Sequence, residues 1–344
     1  VTLEHEALTL DNLSQAMAVK NSGGVVIVQV ERLVARGALN PRHVEIPGVL
    51  VDAIVVADPG DHPQTFATPY SHAFTGAFRV EAVNVPSTAP NARKIIARRA
   101  AFELPVNGVV NLGIGMPEGV AAVAAEERLL DYLTLTTEPG SIGGQPASGL
   151  DFGAAVNADA IIHQNLQFDY YDGGGLDLAI LGMAEVDRSG SVNVSRFGPR
   201  LAGSGGFINI SQNARALILT GSFTSGGFDC AIENGRLNIL SEGSVRKFVD
   251  QVQQVTFSGK RAASLGRSVL YVTERCVFSL QEDGLHLIEV APGVDIDHDI
   301  LAVMDFAPVV GSPRLMDPRI FNDAAMNLHD DLLRLSIEDR IAFD

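Results

Sequence analysis

Apolar residues recur along this chain in two rhythms that take turns, and the alternation predicts a layered α/β protein. Leu10, Leu13, Ala16, Met17 and Lys20 fall at helical spacing, so a helix is expected over 4–20, stopped by Asn21, Ser22, Gly23 and Gly24. The apolar run 25–30 follows at once and predicts a buried strand. A second run over 49–56 leads into 58–89, which is rich in Pro, Gly, His and Thr and reads as a long loop and a domain junction. The expected division is therefore 1–90 and 91–344.

Beyond the junction, 93–102 predicts an amphipathic helix whose Arg93, Lys94, Arg98 and Arg99 are expected on a solvated face. A short strand over 109–112 runs into Gly113-Ile114-Gly115-Met116-Pro117, and Pro117 suits the first turn of the helix that follows. Alternation from Leu133 to Thr137 predicts a half-buried strand, which Pro139 and Gly140 must end. Glu138 is thereby expected at the strand's tip, fixed rather than mobile. A helix-to-strand passage is expected over 154–162, and a turn over 169–175 launches a run to Met183 that is apolar on both faces apart from Asp177. Such a run suits a central parallel strand covered on both sides. A polar hairpin around 187–190, a glycine loop at 203–206, a buried strand over 216–220, a hairpin flanking Glu282-Asp283-Gly284 and helices from about 297 and 318 complete the reading. The fold class is α/β, with open, mostly parallel sheets and helices on both faces.

The 344 residues are 46% hydrophobic, enough for a large core, and carry a net charge of −16. That charge argues against nucleic acid and against an anionic membrane surface as partners. Only Cys230 and Cys276 are present, which excludes a disulfide scaffold, fits a reducing cytoplasm, and makes core filler the reading for both thiols. No apolar run is long enough to span a bilayer. The His residues are scattered without metal-ligand spacing, so no metal site is expected, and His163 reads as a hydrogen-bonded core residue. Gly203 to Gly206 lacks the Lys and Ser/Thr of a nucleotide phosphate loop, and 113–120 lacks the third glycine of a dinucleotide fingerprint.

Three glycine-rich loops and a fixed carboxylate, each expected at the end of a parallel strand, would meet at one rim of an open sheet. Asn111-Leu112-Gly113-Ile114-Gly115-Met116-Pro117, Glu138-Pro139-Gly140 with Gly143-Gly144, Gly174-Gly175 with the run to Gly182, and Gly203-Ser204-Gly205-Gly206-Phe207 resemble, in order and spacing, the family I coenzyme A transferases. The likeness is to the short-chain acyl-CoA:acetate and propionate branch, with 1 to about 80 resembling the latter part of the first half and 91 to about 315 the second half. The resemblance implies CoA-transferase activity, with Glu138 as the nucleophile that becomes a glutamyl-CoA thioester. It further implies that Asn111, Gly113, Gly115 and Gly140 bind the reacting carbonyl and its oxyanion, and that Gly203, Gly205 and Gly206 enclose coenzyme A. Coenzyme A is then a substrate, with no permanently bound cofactor, and the other partners are acyl-CoA and short-chain carboxylic acids. A homo-oligomer is expected, as is a companion polypeptide carrying the start of the first half. Relatives often carry Asn where Pro139 stands, so that donor is missing here. The chemistry suits the residue, because a Glu carboxylate with an ordinary pKa of about 4.3 is ionised at neutral pH and attacks a thioester without a base. The rival readings are an acyl-CoA hydrolase using the same Glu138, and a non-catalytic module on a sugar-phosphate isomerase scaffold that senses a phosphorylated metabolite through 113–118.

Overall fold

The computed structural model describes residues 1–81 and 90–341. They gather into two compact units, Val1–Ala82 with Leu135–Tyr170, and Val83–Thr134 with Tyr171–Asp344. The compact units do not follow the expected division at residue 90, because the chain leaves the larger unit at Leu135, packs with the N-terminal residues, and re-enters at Tyr171. The end of the expected loop, from 82 onward, lies outside the described residues.

In the larger unit the sheet runs in the order Val309–Leu315, Gly284–Val290, Cys276–Gln281, Ser268–Val272, Ala216–Thr220, Leu178–Gly182, Gly108–Leu112. The last four strands are parallel. The hairpin expected around Glu282-Asp283 is present, with Gln281 opposite Gly284. Ala179, Ile180 and Leu219 are 0% exposed, as strands covered on both faces require. Asp177, the polar exception in the run, pins the strand's start: its carboxylate accepts the Val109 N–H at 2.8 Å and pairs with Arg215 at 3.0 Å. Phe223, Phe248 and Phe278 stack beside the sheet with ring centres 4.6 and 5.2 Å apart.

The helix Ala92–Ala101 overturns the solvated basic face expected of it, since only Arg93 is exposed and Lys94, Arg98 and Arg99 are buried. Each buried cation has partners that offset its desolvation. Arg98 donates to the backbone carbonyls of Arg319, Ile320, Asn322 and Ala324. Arg99 grips Glu289 at 2.6 and 3.0 Å, and Lys94 meets Glu126 at 3.0 Å.

In the smaller unit the expected N-terminal helix is confined to Asn12–Asn21. The run at 25–30 does give a strand, Ile27–Val30, paired in parallel with Ala53–Val56, but the pair is not buried. Ile27 is 63% exposed and Val56 54%. A small core of Ala7, Phe74 and Ala154 lies elsewhere in the unit. The passage expected over 154–162 forms two-residue strands, Ala155–Val156 and Ala160–Ile161, and the turn expected at 169–175 is largely the helix Gln164–Asp172. Its buried positions are Gln167, which is polar, and Tyr171, so no aliphatic stripe marks the helical period. The helix expected from 297 is one π turn, Ile296–Ile300, followed by the 3-10 turn Leu301–Val303, and that from 318 is the 3-10 turn Pro318–Phe321 ahead of the helix Leu328–Arg334.

Candidate active site

Glu138 occupies the tip of a β-hairpin in the smaller unit. The strands Leu133–Thr136 and Ser141–Ile142 are antiparallel, with Thr136 opposite Ile142. The Thr137 N–H donates to the Ser141 carbonyl at 3.0 Å and the Gly140 N–H donates back to the Thr137 carbonyl at 3.1 Å, so three residues close the turn. The Thr137 hydroxyl donates to the Gly153 carbonyl at 2.7 Å, and the Ile162 N–H donates to the Gly140 carbonyl at 2.9 Å. Gly140 has φ +121°, and a Cβ there would lie 2.0 Å from the Ile162 carbonyl oxygen. Glycine is thus required by both backbone angle and close approach. The half-buried Glu138 side chain makes no hydrogen bond or ion pair among the described residues, and burial pushes its pKa up from the ordinary carboxylate value. A carboxylate is held rigidly by the backbone around it while its own oxygens stay uncommitted.

The other candidate residues belong to the larger unit. Gly113 continues the sheet, donating its N–H to the Ile180 carbonyl at 2.9 Å. The next three amides, of Ile114, Gly115 and Met116, donate to no acceptor among the described residues, and Gly115 has φ +87° with open space beside it. Pro117 caps the helix Glu118–Glu126 behind them. This is a donor set for a negative charge at the carboxyl end of a parallel strand. Asn111 is fully buried, with its Nδ2 donating to the Tyr171 hydroxyl at 3.3 Å. Gly203, Gly205 and Gly206 follow a two-residue antiparallel ladder, Arg196–Phe197 with Arg200–Leu201, instead of the expected parallel strand, and lead into the helix Phe207–Asn213. Gly203 and Gly205 have positive φ, whereas Gly206 at φ −76° is ordinary backbone. Gly174 and Gly175 precede Leu178–Gly182, so they lie at the amino end of the parallel strands and not at the expected rim. The hydrogen bonds also sort the oxyanion candidates: Gly113 and Gly140 have spent their N–H groups on the fold, and Gly115 has not.

Burial raises both thiols, Cys230 to about 11, in keeping with unreactive side chains. His163 pairs with Glu45 at 2.9 Å. Among the described residues no group of three side chains suits a metal ion and no helix is long and apolar enough to cross a membrane.

No family model matches the chain. It is 47% identical over 326 residues to the acetate CoA-transferase YdiF of Escherichia coli O157:H7, covering 94% of this chain and 61% of that protein. It is 45% identical over 332 residues to the caffeate CoA-transferase of Acetobacterium woodii, covering 94% and 63%. A crystal structure of the E. coli O157:H7 acyl-CoA transferase in a thioester complex with CoA superposes with a TM-score of 0.87 at 45% identity, over 95% of this chain and 61% of that one. The chain is similar to CoA-transferases over 94% of its length, and it spans about three fifths of the relatives it matches. In both relatives the matched stretch is part of one longer polypeptide, so the expected companion polypeptide finds no support.

Proposed function

We propose that this chain carries the nucleophile of an acyl-CoA:carboxylate CoA-transferase, and that Glu138 is that nucleophile. The observation that carries the reading is a backbone-fixed carboxylate at a hairpin tip with neither oxygen committed to another described group. The relative solved as a thioester complex with CoA supports a covalent route. The Glu138 carboxylate attacks the thioester carbonyl of R–CO–SCoA, the C–S bond breaks, and CoA thiolate leaves a glutamyl–acyl anhydride. The thiolate then attacks the glutamyl carbonyl, releasing R–COO⁻ and leaving Glu138–CO–SCoA. An acceptor R′–COO⁻ reverses both steps and leaves as R′–CO–SCoA. Each tetrahedral intermediate carries an oxyanion, and one well-placed amide donor is worth on the order of 3 kcal/mol. The open amides of Ile114, Gly115 and Met116 are the donors we assign to a negatively charged group of the substrate. Short-chain acids are the proposed acceptors, acetate being the one named for the relative at 47%.

Incubation with an acyl-CoA and no acceptor acid tests this directly. CoA is expected on the peptide spanning 136–142, in a linkage that hydroxylamine cleaves. Glu138→Gln should form no adduct and lose at least on the order of 10³-fold in transfer rate. An adduct mapping elsewhere, or a wild-type rate from Glu138→Gln, overturns the assignment.

A further inference from the structure

Lys247 is 9% exposed, yet its ammonium makes no hydrogen bond or ion pair with any described residue. Burial of the side chain pushes the Lys247 pKa down to about 8, against the pull of Glu274. Glu274 cannot serve as its partner in full. One of its carboxylate oxygens accepts the Phe223 N–H at 2.9 Å and the other accepts Arg275 Nε at 2.9 Å, while Arg275 is held in turn by Glu242.

The position of this ammonium is defined by a glycine. A Cβ added to Gly221 would meet Lys247 Nζ at 2.7 Å and the Met183 carbonyl oxygen at 3.0 Å. Gly221 is the first residue past Ala216–Thr220, whose Thr220 sits between Gly182 and Val272 in the parallel register. A Cβ added to Gly182 would meet nothing within 4 Å. The ammonium therefore packs against Gly221 at the carboxyl end of the central parallel strands, where open α/β sheets bind their ligands, with open space at Gly182 on the neighbouring strand.

From this arrangement we infer that Lys247 is a substrate-binding residue whose unused N–H groups donate to the carboxylate of the acceptor acid, a role resting on the CoA-transfer reading. The charge count favours a carboxylate over the phosphates of CoA. Lys247, Arg275, Glu242 and Glu274 together sum to zero, so a monoanion adds one charge to the site where a phosphate dianion adds two.

The sequence has four lysines, at 20, 94, 247 and 260, so ¹³C-ε-lysine NMR resolves the question in the whole protein. Lys247→Arg identifies the resonance by its loss. Saturating acetate is expected to shift that resonance and raise its titration midpoint, leaving the other three in place. No shift with acetate, or a shift only with 3′,5′-ADP, overturns the inference. In kinetics, Lys247→Met should raise KM for the acceptor acid at least tenfold, and an unchanged acceptor KM overturns the assignment. If Glu138 forms no adduct, the CoA-transfer reading falls, and the acetate titration still decides whether Lys247 holds a carboxylate.

Discussion

Two pairs of parallel strands in this molecule share an apolar signature and meet opposite fates. Leu178–Gly182 beside Ala216–Thr220 is closed off on both faces, whereas Ile27–Val30 beside Ala53–Val56 leaves Ile27, Ile54, Val55 and Val56 about half exposed or more. Backbone pairing alone does not bury a strand. In the larger unit helices and aromatic rings supply the covering layers; in the smaller unit the described residues pair the strands and leave their faces bare. An apolar run therefore reports that a strand forms, and says nothing about which surfaces arrive to cover it.

Substitutions that place a charge in each pair should separate the two cases most widely. Ile218→Asp, at a residue 2% exposed, is expected to abolish folding of the larger unit, since an unpaired buried carboxylate costs several kcal/mol. Val55→Asp, at a residue 49% exposed, should leave the main thermal transition in place. Equal losses of circular dichroism in the two variants would erase the distinction.

A buried charge that does have partners sharpens the point. Glu289 is 2% exposed and accepts from Arg99 and from Arg314, whose pull outweighs the effect of burial and holds its pKa below the usual range. Glu289→Gln leaves Arg99 with Glu103, at 2.8 Å, as its remaining counter-ion and should cost about 1.5–3 kcal/mol in denaturant unfolding. Because a depressed carboxyl stabilises only above its unfolded pKa, the wild-type advantage should fade as pH drops through the folded value. A loss below about 1 kcal/mol would show that Glu103 alone satisfies Arg99.

The smallest effect is expected at Glu138, the proposed nucleophile. Glu138 has the opposite sign: its raised pKa contributes stability that is complete below about pH 4 and lost as pH rises through the folded value. At neutral pH the ionised side chain is a cost, so Glu138→Gln should raise Tm by about a degree or two there and lose that advantage in acid. A lower Tm at neutral pH would contradict the desolvated carboxylate.

How far the sequence reached follows from the same physics. The central strands, the 276–290 hairpin and the fixed tip carrying Glu138 were readable because each depends on local period and turn chemistry. The buried arginines were not, since a basic residue on a helix reads as solvated until the carbonyls and carboxylates that pay for its burial are known. The helix Gln164–Asp172 was missed because Gln167 and Tyr171 occupy its inner stripe. Among the oxyanion candidates, sequence could not tell Gly115 from Gly113 or Gly140, because the difference lies in which amides the backbone has already used. Lys247 and Gly221 carried no signal at all: their neighbourhood is assembled from strand ends far apart in the chain.

Arg98 sets the order in which the larger unit can be made. Both terminal nitrogens of its guanidinium donate to carbonyls 221 to 226 residues further along the chain, so the helix that carries it cannot settle into its buried position as it leaves the ribosome. At translation rates of about 5–20 residues per second that wait lasts on the order of 10–45 s. During synthesis the nascent larger unit must keep a basic helix solvated and its sheet uncovered, which makes that interval the one in which chaperones have most to protect.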